Sequence, residues 1–195
     1  MNQQALDTLL QRGRQPIWLT NADLRGLNLS GASLAQAELL KANLTGANLA
    51  GANLRGANLM FANLQQADLR GADLTSARLS GANLTGADFS DGQLHQTDFS
   101  RATVDRAQFV QANLTEANFA ESSLIEANLS QADLSRANLS ETDLSRANLR
   151  QANLTDTLIR EARLPNADLT DATTTGADFE FSILPDGSVD NSMPI

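Results

Sequence analysis

The tripeptide Ala-Asn-Leu returns every five residues between Ala42 and Phe61. The five-residue frame then holds from Ala22 to Leu184 without an insertion or a deletion. The central residue of each unit, from Leu24 onward, is Leu in 25 of 33 units and Phe in five, and the residue two positions earlier is Ala in 26. This regular period limits the fold more than any other feature of the chain.

The five-residue period predicts an extended chain with corners. In extended backbone, the small and the large apolar residue of each unit point to one side and the intervening Asn or Asp to the other. An α-helix would rotate the pattern by about 140° per unit and scatter the leucines around its surface. The other two positions carry Ser, Thr, Gly, Gln, Glu or Arg, which suit a turn. A chain that turns in this way every five residues is expected to coil and stack on itself.

Units such as Ala47-Asn48-Leu49-Ala50-Gly51 and Ala137-Asn138-Leu139-Ser140-Glu141 resemble those of the pentapeptide-repeat proteins. The resemblance covers residues 22–184 and implies an all-β fold, a right-handed quadrilateral parallel β-helix with four units per coil. Thirty-three units then make about eight coils, and a rod roughly 39 Å long at a ladder spacing of ~4.8 Å. The Asn-rich repeats and the closing Ile183-Leu184-Pro185-Asp186-Gly187 resemble cyanobacterial members of the family.

The sequence predicts three segments. Residues 1–20 form an N-terminal cap, partly helical, because Leu6, Leu9 and Leu10 have helical spacing; Gly13 and Pro16 are expected to end the helix, and Ile17 and Trp18 to seal the rod. Residues 21–184 form the β-helix, and 185–195 form a C-terminal tail, of which 188–195 is a loose end or a dimer contact. Nine of the corner positions are glycine, and eight of these nine lie before residue 90. We therefore expect the corners to change conformation near the middle of the rod.

Residues twenty apart are predicted to be neighbours in successive coils. Phe89 should stack on Phe109 and Phe99 on Phe119, with Gly92 and Thr97 making room for the rings. Most charged corners alternate in sign, but Arg101 is followed by Glu121, Glu141 and Glu161, an acidic stripe that could receive a basic partner. Leu40, Met60 and Phe61 form a small outward apolar patch that could dock a partner or another copy of the chain, or be covered by the cap helix.

The composition removes most enzyme chemistry. The chain has no Cys and a single His, His95, which is expected to be a surface residue, so thiolate chemistry and His or Cys metal sites are not expected. The acidic residues lie on a convex rod without a pocket that could shift a pKa. The sequence predicts no cofactor and no enzyme activity. Since no apolar run approaches a membrane span, a cytoplasmic protein without a membrane contact is expected.

Charge and resemblance leave two functions open. The net charge of −9 disfavours direct nucleic-acid binding. The first hypothesis is a non-catalytic scaffold for an unidentified protein, either a monomer or a dimer through a rod end. The second comes from the resemblance, because some pentapeptide-repeat proteins modulate DNA gyrase by imitating DNA. A 39 Å length of B-DNA would carry about 23 charges, so mimicry by the whole rod is poor, although residues 99–195 hold a net −8.

Overall fold

The computed structural model describes residues 2–11 and 16–190. The first element is a short helix, α1 (Gln3–Gln11). Asn2 caps it, since its side-chain oxygen accepts a 2.9 Å hydrogen bond from the Ala5 amide. Leu6 is completely buried, and the Gln3 amide exchanges two hydrogen bonds with the Asn28 backbone. The helix therefore lies on the first coil. Gly13, which was expected to end it, and the Leu9 side chain lie outside the described part.

The rest of the described chain is a ladder of parallel bridges. Every fifth residue pairs with the residue twenty positions later, from Trp18 with Glu38 to Arg163 with Ile183. A repeat of twenty residues with four bridges gives each coil four sides, and each side contributes one bridged residue rather than a long strand. The chain is thus a β-helix solenoid of about eight coils. Its right-handed sense stays a prediction from the resemblance.

The four sides are named here by the segments that form them. Face A contains residues 17–21 and each segment twenty residues further on, as far as 177–181. Faces B, C and D begin in the same way with residues 22–26, 27–31 and 32–36.

All corners share one conformation. Every fifth residue from Asn21 to Phe181 has a positive φ, between 55° and 60° for the 24 non-glycine residues and between 62° and 70° for the glycines. The amide that follows closes the turn, as in the 2.9 Å bond from Ala47 to the Leu44 carbonyl. A single positive φ at the third residue is the pattern of a type II turn. The expected change of turn near mid-rod is therefore wrong, because ladder pairing on both sides holds each corner whatever its side chain.

The recurring Asn or Asp has a function in the turn. Its side-chain oxygen accepts the amide hydrogen two residues later, at 3.1 Å for Asn43 with Thr45 and 3.0 Å for Asp133 with Ser135. This is an Asx turn, which provides a hydrogen-bond acceptor for a backbone amide that the ladder does not pair. Many of the Asn side-chain amides also donate to the same column one coil back, as Asn138 does to Asn118 at 3.3 Å.

The interior is filled by the apolar positions. Leu and Ala are buried in almost every unit from Leu34 to Leu164. Phe89 stacks on Phe109 with ring centres 4.9 Å apart, and Phe99 on Phe119 at 4.6 Å, which confirms both predicted pairs. Thr97 is buried beside them, and its hydroxyl donates to the Leu74 carbonyl at 2.8 Å. In the described residues every buried side-chain polar atom has a partner.

The two ends of the rod differ from the predicted boundaries. Ile17 is buried, but Trp18 is 71% exposed, so Trp18 does not seal the end. It is the outward residue of a first unit, Ile17 to Asn21, that precedes the frame read from Ala22. At the other end Phe179 and Leu184 are only half-buried and Thr174 is exposed. An antiparallel bridge from Ile183 to Val189 folds the tail back; residues 191–195 of the predicted tail lie outside the described part.

Candidate interaction face

Face A carries most of the exposed apolar surface. Among the described residues five large apolar side chains are exposed, and four of them, Trp18, Phe61, Leu158 and Phe181, lie on this face. Leu40 and Met60 lie on it too and are half-buried. The helix α1 leaves Phe61 54% exposed. Leu158 is therefore one of a set of exposed apolar side chains on this face.

The predicted acidic stripe and the predicted apolar patch lie on this same face. Phe61 and the three glutamates Glu121, Glu141 and Glu161 are corner residues of one column, spaced by multiples of twenty. That column runs from Asn21 to Phe181 along one edge of face A. Two candidate sites that the sequence suggested separately thus form one continuous surface.

Phe61 is held flat against the corner column. A Cβ added to Gly81, one coil further on, would lie 2.6 Å from Cε1 of the Phe61 ring. The ring therefore covers the Gly81 backbone and leaves one side open to solvent. Since Gly81 has a φ of +68°, both its backbone conformation and the contact with the ring favour glycine here.

The three glutamates are not equivalent. Arg101 donates two 3.0 Å hydrogen bonds to Glu121, and this contact holds the pKa of the Glu121 carboxyl below its ordinary value. Glu141 and Glu161 are exposed, and neither has a side-chain ion pair within the described residues. The nearby Arg160 binds Asp178 at 2.5 Å and Glu180 at 3.5 Å instead. The unneutralised charge of the stripe is therefore at Glu141 and Glu161.

The other faces have more regular polar columns. Arg136 binds Glu116 at 2.8 Å on face D, Arg146 binds Glu126 at 2.8 Å on face B, and Gln111 donates to Gln131 at 2.9 Å on face C. His95 lies half-buried on face D, 2.7 Å from the Thr115 hydroxyl. Face B has a hollow of about 260 Å³ lined by polar groups without a carboxylate: Thr45, Gln65, Gln66, Thr85 and Arg106. No cluster of metal-ligand side chains occurs in the part of the chain that the structure describes.

We expect the aspartate turns to make the rod sensitive to acid. Hydrogen bonds from Thr170, and then Arg150, lower the pKa of Asp168 from 3.8 to about 2. A pKa that is lower in the folded state adds stability above the unfolded value, and this stability is lost as the pH falls toward 2. Asp168→Asn keeps the turn acceptor but cannot titrate, so the urea midpoint should fall less between about pH 4 and pH 2. Asp171→Asn, at an exposed corner, is the control, and an equal effect of both variants would contradict the assignment.

A model of the family "Pentapeptide repeats" matches the chain in eight copies between residues 19 and 186. The chain belongs to the pentapeptide-repeat family, a family of non-enzymatic repeat proteins. No match was found among curated proteins.

Several solved structures are similar to this chain. One is HetL, a pentapeptide repeat protein involved in heterocyst differentiation regulation from the cyanobacterium Nostoc sp. strain PCC 7120, at 31% identity over 97% of this chain and 100% of HetL, with a TM-score of 0.32. A pentapeptide repeat protein of the Arabidopsis thaliana thylakoid lumen is 32% identical over 54% of this chain and 69% of its own, with a TM-score of 0.35. A third is QnrB1, a plasmid-mediated fluoroquinolone resistance protein, 20% identical over 85% and 86% with a TM-score of 0.49.

Among the described residues, no helix has the length and apolar character needed to cross a membrane.

Proposed function

We propose that this protein is a non-catalytic scaffold that binds a protein molecule along face A. The observation that carries the proposal is the concentration of exposed apolar side chains on one of four otherwise polar sides. Isolated apolar groups are common on protein surfaces, but a set confined to one side is typical of a contact surface. The filled interior supports the same function, because binding can only take place on the outside of the rod.

The test is site-specific photo-crosslinking in the native cells. A benzophenone amino acid replaces Ser100 on face A or Ser130 on face C, two half-buried residues at the same position of their units. We expect discrete protein adducts from position 100 and few from position 130. Equal labelling from both positions, or no adduct from position 100, would contradict the proposal.

DNA mimicry is the second candidate, and it is favoured by Glu141 and Glu161, which form no ion pair with any residue that the structure describes. Against it, many aspartates of the rod bind arginines, such as Asp68 with Arg70 at 2.7 Å and Asp168 with Arg150 at 3.1 Å. Such pairs interrupt the negative potential that a duplex presents. A supercoiling assay with purified gyrase separates the two functions. The scaffold proposal expects no inhibition at micromolar protein, whereas inhibition that is lost when Glu121, Glu141 and Glu161 are all changed to Lys would replace it with mimicry.

A further inference from the structure

Face A has opposite charges in its two halves. Its three segments between residues 57 and 101 have a net charge of +1, from Arg78 and Arg101 against Asp98. Its three segments between residues 137 and 181 have a net charge of −3, from Glu141, Glu161, Asp178 and Glu180 against Arg160, and Glu121 lies between the two halves. A surface with this asymmetry is electrostatically complementary to itself when one copy is turned end over end.

Two pairs of corner residues on face A are placed symmetrically about Glu121. Phe61 lies three coils before Glu121 and Phe181 three coils after it. Arg101 and Glu141 lie one coil to either side. A two-fold axis through Glu121, perpendicular to the rod and in the plane of contact, therefore places Phe61 against Phe181 of the other copy and Arg101 against its Glu141. The same axis brings the two Glu121 side chains together, each of which is already paired with Arg101 of its own chain.

Two further positions on face A are compatible with the same arrangement. The axis that passes Glu121 also passes Ala120, whose small side chain lets two faces approach at the centre. In the bridge column, Arg78 and Leu158 lie two coils to either side of Asn118, so the aliphatic part of the arginine meets the exposed leucine. A parallel pair would instead place the two halves of charge −3 against each other, which is unfavourable.

We propose that face A binds face A of a second copy of this chain in an antiparallel, side-by-side dimer. The proposal rests on the proposed function, since it names the molecule that the scaffold binds on this face. It leaves faces B, C and D open to solvent. The contact covers six coil spacings, roughly 29 Å, which is short for a permanent dimer. We therefore expect a reversible dimer with a dissociation constant in the micromolar range.

Analytical ultracentrifugation of the full chain, from about 1 to about 500 μM, tests the proposal. We expect a reversible dimer that Phe61→Ser weakens by ~100-fold, because the dimer loses this aromatic anchor at both symmetric contacts. Arg101→Glu and Glu141→Arg each create a like-charge contact and should weaken it by ~10-fold or more. The double variant Arg101→Glu/Glu141→Arg restores opposite charges and should recover the dimer.

Arg136→Glu on face D is the matched control, because it also removes an ion pair to a glutamate twenty residues away. It should leave the dimer unchanged, and circular dichroism verifies that every variant folds. A monomer at all concentrations would overturn the proposed dimer. A dimer whose dissociation constant is unchanged by the face A variants would also overturn it and would indicate contact through a rod end. If the chain is monomeric but position 100 crosslinks to a different protein, the scaffold proposal stands and the dimer fails. If the chain is monomeric and position 100 gives no adduct, both fail.

Discussion

Gln111→Pro is expected to destabilise the rod by about 4 kcal/mol or more, the largest effect of any substitution proposed here. Gln111 is a corner residue with a φ of 58°, whereas the proline ring fixes φ near about −65°. Its amide also donates a 3.1 Å ladder bond to the Ser130 carbonyl in the next coil, and proline has no amide hydrogen. The corner must therefore open and the ladder must break at the same residue.

The preceding residue provides the control. Val110 is the second residue of the same turn, where a type II turn favours proline. The chain already has proline at this position in the turn of Pro165, whose third residue, Asn166, has a φ of 60°. In that unit Arg163 replaces the usual Asn or Asp, so the side chain there has no acceptor for the amide hydrogen that proline lacks. The unit of Val110 has Gln108 there. Val110→Pro should therefore change stability by less than about 1 kcal/mol.

Urea unfolding followed by far-ultraviolet circular dichroism measures both variants. Because repeat arrays can unfold in parts, hydrogen exchange is used to locate the damage. We expect Gln111→Pro to lose protection in the coils on both sides of the corner and Val110→Pro to keep it. A Gln111→Pro rod as stable as the native one would show that the ladder does not hold the corners.

The coil and its side-chain ladders could be predicted because one rule, neighbours at twenty residues, governs the entire rod. Once the five-residue period and the four-sided coil were assumed, the stacked pairs Phe89–Phe109 and Phe99–Phe119 and the Glu116–Arg136 pair followed from arithmetic. The same rule also places Phe61 and Glu121 in one column of face A, since they are sixty residues apart. Three coils nevertheless separate Phe61 from Glu121, so the sequence alone suggests two separate sites.

The conformation of the corners could not be predicted, because glycine and non-glycine corner residues adopt the same positive φ. Glycine before residue 90 and Gln, Glu or Arg after it suggested two kinds of turn, yet Gly71 and Gln131 have φ values of 63° and 60°. The left-handed conformation costs a residue with a side chain about 1 kcal/mol, and the bonds to the coils above and below offset that cost. The Asx turns were missed for a related reason. The outward direction of Asn and Asp predicts only a polar surface. The side-chain oxygen of each is also an acceptor for the backbone amide two residues later, which has no partner in the ladder.

Phe99→Ala should destabilise the rod by about 4 kcal/mol, since it leaves a large cavity at mid-rod. The Phe99 ring is completely buried, stacks on Phe119 at 4.6 Å and meets the edges of Phe89 and Phe109 at 5.9 and 6.0 Å. The coil backbone is fixed by ladder bonds on all four sides, so it cannot collapse to fill the space. Leucine occupies the same column in several other coils, and Phe99→Leu should cost only about 1.5 kcal/mol.

The open end of the rod supplies the matched comparison for this cavity. Phe179 occupies the same column as Phe99, four coils later, but is only half-buried because no further coil covers it. Phe179→Ala loses contacts on one side alone and should cost about 2 kcal/mol, half the value at mid-rod. Urea unfolding of the three variants measures the difference. Equal losses for Phe99→Ala and Phe179→Ala would contradict the expectation that full burial among stacked rings makes the cavity at residue 99 more costly.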